Sequence, residues 1–398
     1  MKILFSVSLF VLFLNECNGY GCVDDGCVNS GCFGISKEKF NVDNFNYTGD
    51  PVTFACIGRL LQKEFYITEV NVSIPSHLID RLNNTKGISL LFYGIGNKIT
   101  LKNGLLYKFA KEWFIKSKRN ICIISYAFKK GSPLGIVGDL NKMVTTKRLE
   151  FVAKLARDLV LGVRAKSPKL NGKPSLRMSQ IDVSGFSFGA HVAGRTCQYL
   201  KEKTKEQARM LLALDPSRTP PLLAAKPLNT IQKGHAKYVQ VIHTSKVAGV
   251  WDKLGDIDIY ADIKQKSWQK DKSLLDTISD SHGLAFFIHV ATATKRLFLI
   301  ANQNRTPTII ERNLPIPFTE PTLKENEVLI GVYSTLNPKI QGKKFEISFK
   351  NKTNDLWEAL GQLSSDKIFF EQSKPVLTDD MMELVKNNQN EIDPNTTE

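Results

Sequence analysis

The residues best arranged for chemistry lie in IDVSGFSFGAHVAG, residues 181–194. A serine between two glycines, G-x-S-x-G, is common by chance, and its neighbours make it informative. An apolar strand pattern runs into it and an Ala/Val/Gly-rich helical pattern runs out. A strand that turns sharply into a helix has no room for β-carbons beside the turn residue, so Gly185 and Gly189 suit a nucleophile elbow. Such a turn lifts Ser187 Oγ to the C-terminal edge of a sheet, and the amides opening the following helix face any anion formed there. A serine nucleophile needs a base, and the base needs an orienting carboxylate. Asp215 ends the apolar run 210–215 and is followed by Pro216, which brings its carboxylate to the same edge. His282 opens a helical pattern. The other histidines have plainer readings: His289, in FFIHV, as a satisfied core residue, His243 as mid-strand and structural, His191 as support one turn after Ser187, and His235 and His77 as surface residues. Spacing alone leaves the choice of base open.

The elements that must hold these groups follow from periodicity. Residues 88–93 (ISLLFY), 121–126 (ICIISY), 181–184, 210–215 and 238–244 read as buried strands with hardly any polar alternation. Helical spacing appears at 145–163, through Leu149, Val152, Leu155, Leu159 and Val163, and again at 189–200 and 282–294. Unbroken apolar strands separated by helices imply an α/β fold, a mostly parallel sheet covered by helices on both faces. Residues 330–336 and 345–349 read as a closing pair of strands.

Four blocks in fixed order carry a resemblance: 183–194, LALDPS at 212–217, YVQVIHTSKVAGVWDKLGDID at 238–258, and SHGLA at 281–285. Together they resemble the pancreatic-lipase-like family of α/β-hydrolases, most closely its secreted insect branch with the venom phospholipases A1, over roughly residues 85–350. The resemblance implies a carboxylic-ester hydrolase acting on lipid, with Ser187 as nucleophile, Asp215 as acid, His282 as base and the backbone amides of Ile95 and Phe188 as the oxyanion hole. It implies no metal and no organic cofactor. His191 and His243 match family positions that are not catalytic. Three departures stand out. Phe92-Tyr93-Gly94-Ile95 replaces a His-Gly oxyanion strand, Phe186 stands where histidine is usual before the nucleophile, and the loop before His282 lacks its bracing cysteines. That loop, 262–280, resembles a short lid, with Trp268, Leu274 and Leu275 among lysines; short lids accompany phospholipase activity in the family. Relatives of this fold also include yolk proteins without catalysis, so a lipid-binding protein is the competing reading.

Composition frames these readings. Of 398 residues 42% are apolar and 23% charged, which suits a buried core. Met1-Lys2, an apolar run over 3–14 and Gly19 read as a cleavable secretory signal, 1–19. A Cys-rich arm with the first strands (20–84), the lipase-like domain (85–350) and an acidic tail (351–398) complete the expected organisation. The tail carries 4 basic and 10 acidic side chains, which leaves +21 of the chain's net +15 on residues 1–350. Such a body favours anionic partners, a lipid or membrane surface or a polyanion. No recognition helix or aromatic-interleaved basic motif points to nucleic acid. After loss of the signal six cysteines remain: Cys22, Cys27, Cys32, Cys56, Cys122 and Cys197. Their even number permits three disulfides in an oxidising compartment, although Cys122, inside an apolar strand, also reads as a buried thiol. The five-residue spacing of the first three does not suit zinc. Six sequons, at Asn46, Asn71, Asn83, Asn304, Asn351 and Asn395, fit a secreted glycoprotein.

Overall fold

A computed structural model describes residues 40–58, 65–82, 86–99, 104–133, 135–218, 230–262, 274–302, 307–311 and 320–349. The chain divides into Met1–Asn41 and Val42–Glu398, and the second unit carries every element below. In chain order these are β1 (Val52–Ile57), β2 (Tyr66–Val70), α1 (Ser76–Arg81), β3 (Ile88–Phe92), α2 (Gly104–Ser117), β4 (Asn120–Ser125), α3 (Gly135–Thr145) and α4 (Arg148–Lys166). A small hairpin, β5 (Lys169–Leu170) and β6 (Lys173–Pro174), leads to β7 (Ile181–Phe186), α5 (Phe188–Thr204), β8 (Ala208–Leu214), β9 (Ala236–His243) and β10 (Ile257–Asp262). Then come α6 (Leu274–Ala293), β11 (Leu297–Ala301), β12 (Thr308–Glu311), β13 (Val328–Leu329) and β14 (Lys344–Ser348).

Nine strands form one sheet in the order β14-β10-β9-β8-β7-β3-β4-β1-β2. From β14 to β4 every pairing is parallel, while β1 and β2 join antiparallel at one edge. Parallel strands need both faces covered, and the alternation along β3 supplies both. Ile88, Leu90 and Phe92 enter the core with α4 and α5, whereas Leu91 and Tyr93 enter the core with α2 and α6. The α/β class read from the sequence is therefore the observed one.

Several element boundaries differ from the sequence expectation. The helix expected over 145–163 is α4, Arg148–Lys166; it starts three residues later because the chain turns at Thr146–Lys147, where Lys147 adopts a left-handed φ of 57°. The closing strand pair is not a pair: residues 331–336 are not a strand, β13 pairs with β11, and β14 pairs in parallel with β10. The main sheet also takes β1 and β2 from the segment set apart as 20–84. Cys122 is no free thiol. It faces Cys56 directly across the β1–β4 ladder, and the two form a disulfide. Cys197 is buried and free within α5, so the six cysteines cannot make three bridges. Cys22, Cys27, Cys32, the signal segment and the acidic tail lie outside the described residues. Asn46 and Asn71 are exposed.

Candidate active site

β7 passes into α5 through a single residue, Ser187, whose φ of 59° and ψ of −127° are unusual for a residue with a side chain. The geometry explains both glycines. A methyl on Gly185 would overlap the Gly189 carbonyl, and one on Gly189 would overlap the carbonyls of Phe92 and Tyr93. The Ser187 amide donates to Leu214 O at 2.9 Å, which ties the turn to β8. Ser187 retains 7% of its surface.

Asp215 follows β8 with φ 42° and is fully buried. Its Oδ1 accepts the amides of Thr244 at 2.8 Å and Ser245 at 3.2 Å, and its Oδ2 lies 2.5 Å from His282 Nδ1. A carboxylate at that nitrogen calls for Nδ1–H, which leaves Nε2 as the acceptor in the neutral ring. Gly249 is obligatory beside this pair, because a β-carbon there would overlap Asp215 Oδ1. His282 lies inside α6, which starts eight residues earlier at Leu274 instead of opening at His282 as the sequence suggested. Residues Leu274 and Leu275, read as lid, thus belong to the first turn of that helix, and Trp268 lies outside the described residues. Ser187 and His282 line one small pocket, of about 30 Å³, together with Ile95 and Phe186. No hydrogen bond joins Ser187 to His282 here; such bonds are often long without substrate.

Ile95 sits in the tight turn after β3, where Asn97 N donates to Gly94 O, and Phe188 is the first residue of α5, so its amide has no acceptor within the helix. Tyr93 does not enter the pocket. Its ring packs edge-on against Phe286, 5.4 Å between centroids, in the core under α6. Phe186 lies 4.8 Å from the His282 ring and covers one side of it, a contact that sequence spacing did not reveal. Ser217, Arg218 and Ala248 from loops, and Ile136 and Leu140 from α3, also line the pocket and were missed, since none stands in a local pattern that points to a site.

The remaining histidines separate by their partners. His191 Nε2 donates to Ser217 O at 2.8 Å and Nδ1 accepts from Thr230 Oγ1 at 2.9 Å; burial lowers its pKa. It braces the turn after β8, the supporting role expected. His243 contacts Val250 O at 2.7 Å and Asp258 Oδ1 at 2.9 Å, and stacks on Tyr260 at 4.4 Å. His77 is exposed and His235, half-buried, holds Thr230 O. His289 corrects an expectation. It is a core residue, packed at 5.0 Å against Trp113, but neither ring nitrogen has a partner, and burial pushes its pKa down to about 3.

Residues 152–298 match the family model Lipase. The chain is 30% identical over 148 residues to "Phospholipase A1 2" of Polistes dominula, covering 35% of this chain and 43% of that one. It is also 30% identical over 118 residues to "Phospholipase A1" of Vespula squamosa, covering 29% and 39%, and over 95 residues to "Vitellogenin-2" of Ceratitis capitata, covering 23% and 22%. The chain thus spans less than half the length of these relatives. A hormone-sensitive lipase from a metagenome library aligns at 14% identity over 50% of this chain and 65% of that one, with a TM-score of 0.22, so the fold rests on its own topology. The Lipase match runs from α4 through the elbow and α6 into β11, so over this stretch, which holds Ser187, Asp215 and His282, the chain is similar to the lipase family.

Proposed function

We propose that the protein is an extracellular carboxylic-ester hydrolase that cleaves acyl esters of lipids through Ser187, His282 and Asp215. The observation that carries this is the 2.5 Å contact of His282 Nδ1 with Asp215 Oδ2, in a pocket shared with a serine held on a tight strand-to-helix turn. His282 Nε2 takes the proton as Ser187 Oγ attacks the acyl carbonyl. The imidazolium is stabilised by Asp215, and the oxyanion is bound by the amides of Ile95 and Phe188. His282 then returns the proton to the leaving alcohol, and water activated by the same nitrogen frees the acid. The first step alone joins the acyl group to Ser187 Oγ and breaks the bond to the alcohol.

The wasp relatives named phospholipase A1 support lipid as the substrate class, and the Cys56–Cys122 disulfide supports an oxidising setting such as the extracellular one. Among the described residues no helix is long and apolar enough to cross a membrane. The organisation into a 1–19 signal, a Cys-rich arm, the hydrolase domain and an acidic tail belongs to this reading, as does a lid that carries Trp268. A second reading, a lipid-binding protein of the same fold, is favoured by the missing Ser187–His282 hydrogen bond. An assay of purified protein on short-chain acyl esters and phospholipid vesicles separates the two. Hydrolysis that vanishes in Ser187→Ala is expected; hydrolysis equal in both proteins, or absent from both, overturns the enzyme reading.

A further inference from the structure

Among the described lining residues of the pocket, Arg218 is the one permanent charge, and no carboxylate lines it. Its amide donates to Ala248 O at 2.9 Å and its Nε to Gly249 O at 2.9 Å. These bonds tie the side chain to the loop that packs on Asp215. The two Nη groups make no hydrogen bond or ion pair among the described residues. Arg148 shows what a purely structural arginine looks like in this fold. It is fully buried, with Nε on Tyr126 O and the Nη atoms on Tyr47 Oη, Asp50 O and Pro51 O, so that its whole fork is used. The fork of Arg218 is left available beside a candidate nucleophile.

The rest of the pocket matches that charge. Ser217, next in sequence, has a buried hydroxyl without a partner, and so has the Asn97 side-chain amide. Otherwise the wall is apolar, from Ile95, Ile136, Leu140 and Ala248. An apolar wall accepts an acyl chain, while one fixed guanidinium suits a permanent anion on the same molecule. A phosphodiester is such an anion, and a guanidinium binds it through two parallel N–H donors.

We propose that Arg218 binds the phosphodiester of a glycerophospholipid and selects phospholipids over neutral acyl esters. The inference builds on the lipid-hydrolase reading, but it is testable without turnover. The probes are a short-chain diether phosphatidylcholine, which cannot be hydrolysed, and a diether glycerol of the same chain length, each titrated calorimetrically below its aggregation concentration. Arg218→Gln should lower the ratio of phospholipid to neutral-lipid affinity at least tenfold, and Arg218→Lys, which keeps the charge without the fork, should lower it severalfold. Inorganic phosphate should compete only weakly with the phospholipid. An unchanged ratio in both variants, no phospholipid binding by the wild type, or phosphate competing as strongly as the lipid each overturns the proposal. The Lys variant keeps the test decisive if the Gln variant does not fold. Binding with the expected ratio but without Ser187-dependent hydrolysis would overturn the enzyme reading alone. Hydrolysis without a change of ratio would overturn this one alone.

Discussion

His282 with Asp215 and His243 with Asp258 are two buried histidine–carboxylate pairs, the first joining α6 to the turn after β8 and the second joining β9 to β10, and their surroundings differ. His243 has both nitrogens occupied, stacks on Tyr260, and meets a carboxylate that also accepts the amides of Leu254 and Gly255. His282 spends only Nδ1 on its carboxylate, and its ring lines a pocket with Ser187. A histidine–aspartate contact is therefore no mark of catalysis by itself. What sets the proposed catalytic pair apart is a ring nitrogen left without a partner in a pocket shared with Ser187.

Exchanging the two histidines for alanine breaks the comparison most sharply. His282→Ala and Ser187→Ala should each lower kcat on an acyl ester by roughly 10⁴-fold or more, as removal of a member of such a constellation does. His243→Ala should leave turnover per folded molecule within about tenfold of wild type. Equal losses from the two histidine variants would mean that the pairs are not distinct in role.

His289 extends the series to a histidine with no partner at all. In the unfolded chain it takes up a proton below about pH 6.5, whereas the folded protein, with its pKa near 3, resists protonation. Stability is complete above the unfolded value and falls as pH drops toward 3, by at most about 1.4 kcal/mol per pH unit from this residue. Urea denaturation between pH 7 and 4 should show a steeper decline for wild type than for His289→Leu. Parallel curves would mean that this ring finds a partner in solution.

A third change reads the other pair in stability alone. His243→Ala strands the buried Asp258 carboxylate, which typically costs about 3–5 kcal/mol. His282→Ala should cost less: each aspartate keeps two backbone amides, but loss of His243 also removes its bond to Val250 O and its stack on Tyr260, whereas His282 gives up a single bond. Urea midpoints of the two variants give the order directly, and the reverse order contradicts it. Reducing the Cys56–Cys122 bridge, which closes a separation of 66 residues, should cost ~2–4 kcal/mol at the far side of the sheet and leave turnover per folded molecule unchanged.

Much of the candidate site could be read from the chain because its constraints are local. Gly185 is demanded by overlap with the Gly189 carbonyl four residues on, and Pro216 marks the end of the strand that carries Asp215; Gly189, by contrast, is demanded by the carbonyls of Phe92 and Tyr93 on the neighbouring strand. The parallel strands were legible because burial on both faces removes polar alternation. What stayed hidden depends on partners far away in sequence. The pairing of β14 with β10 joins segments about 85 residues apart, and nothing in the Phe345–Phe349 run names its neighbour. The turn at Lys147 hid because no glycine or proline marks it. Arg148 was hidden by its charge, which reads as surface although Tyr47, Asp50, Pro51 and Tyr126 surround it. Arg218 looks ordinary in sequence, and only the packing of the turn after β8 against the loop after β9 brings it beside His282 and Ser187.

The most direct test of the central claim is covalent labelling with a fluorophosphonate, which forms a stable ester only with an activated serine hydroxyl. The account predicts one adduct, located by peptide mass spectrometry on Ser187, formed at a normal rate in His243→Ala and lost in His282→Ala. No adduct on Ser187, or labelling undiminished without His282, would contradict it.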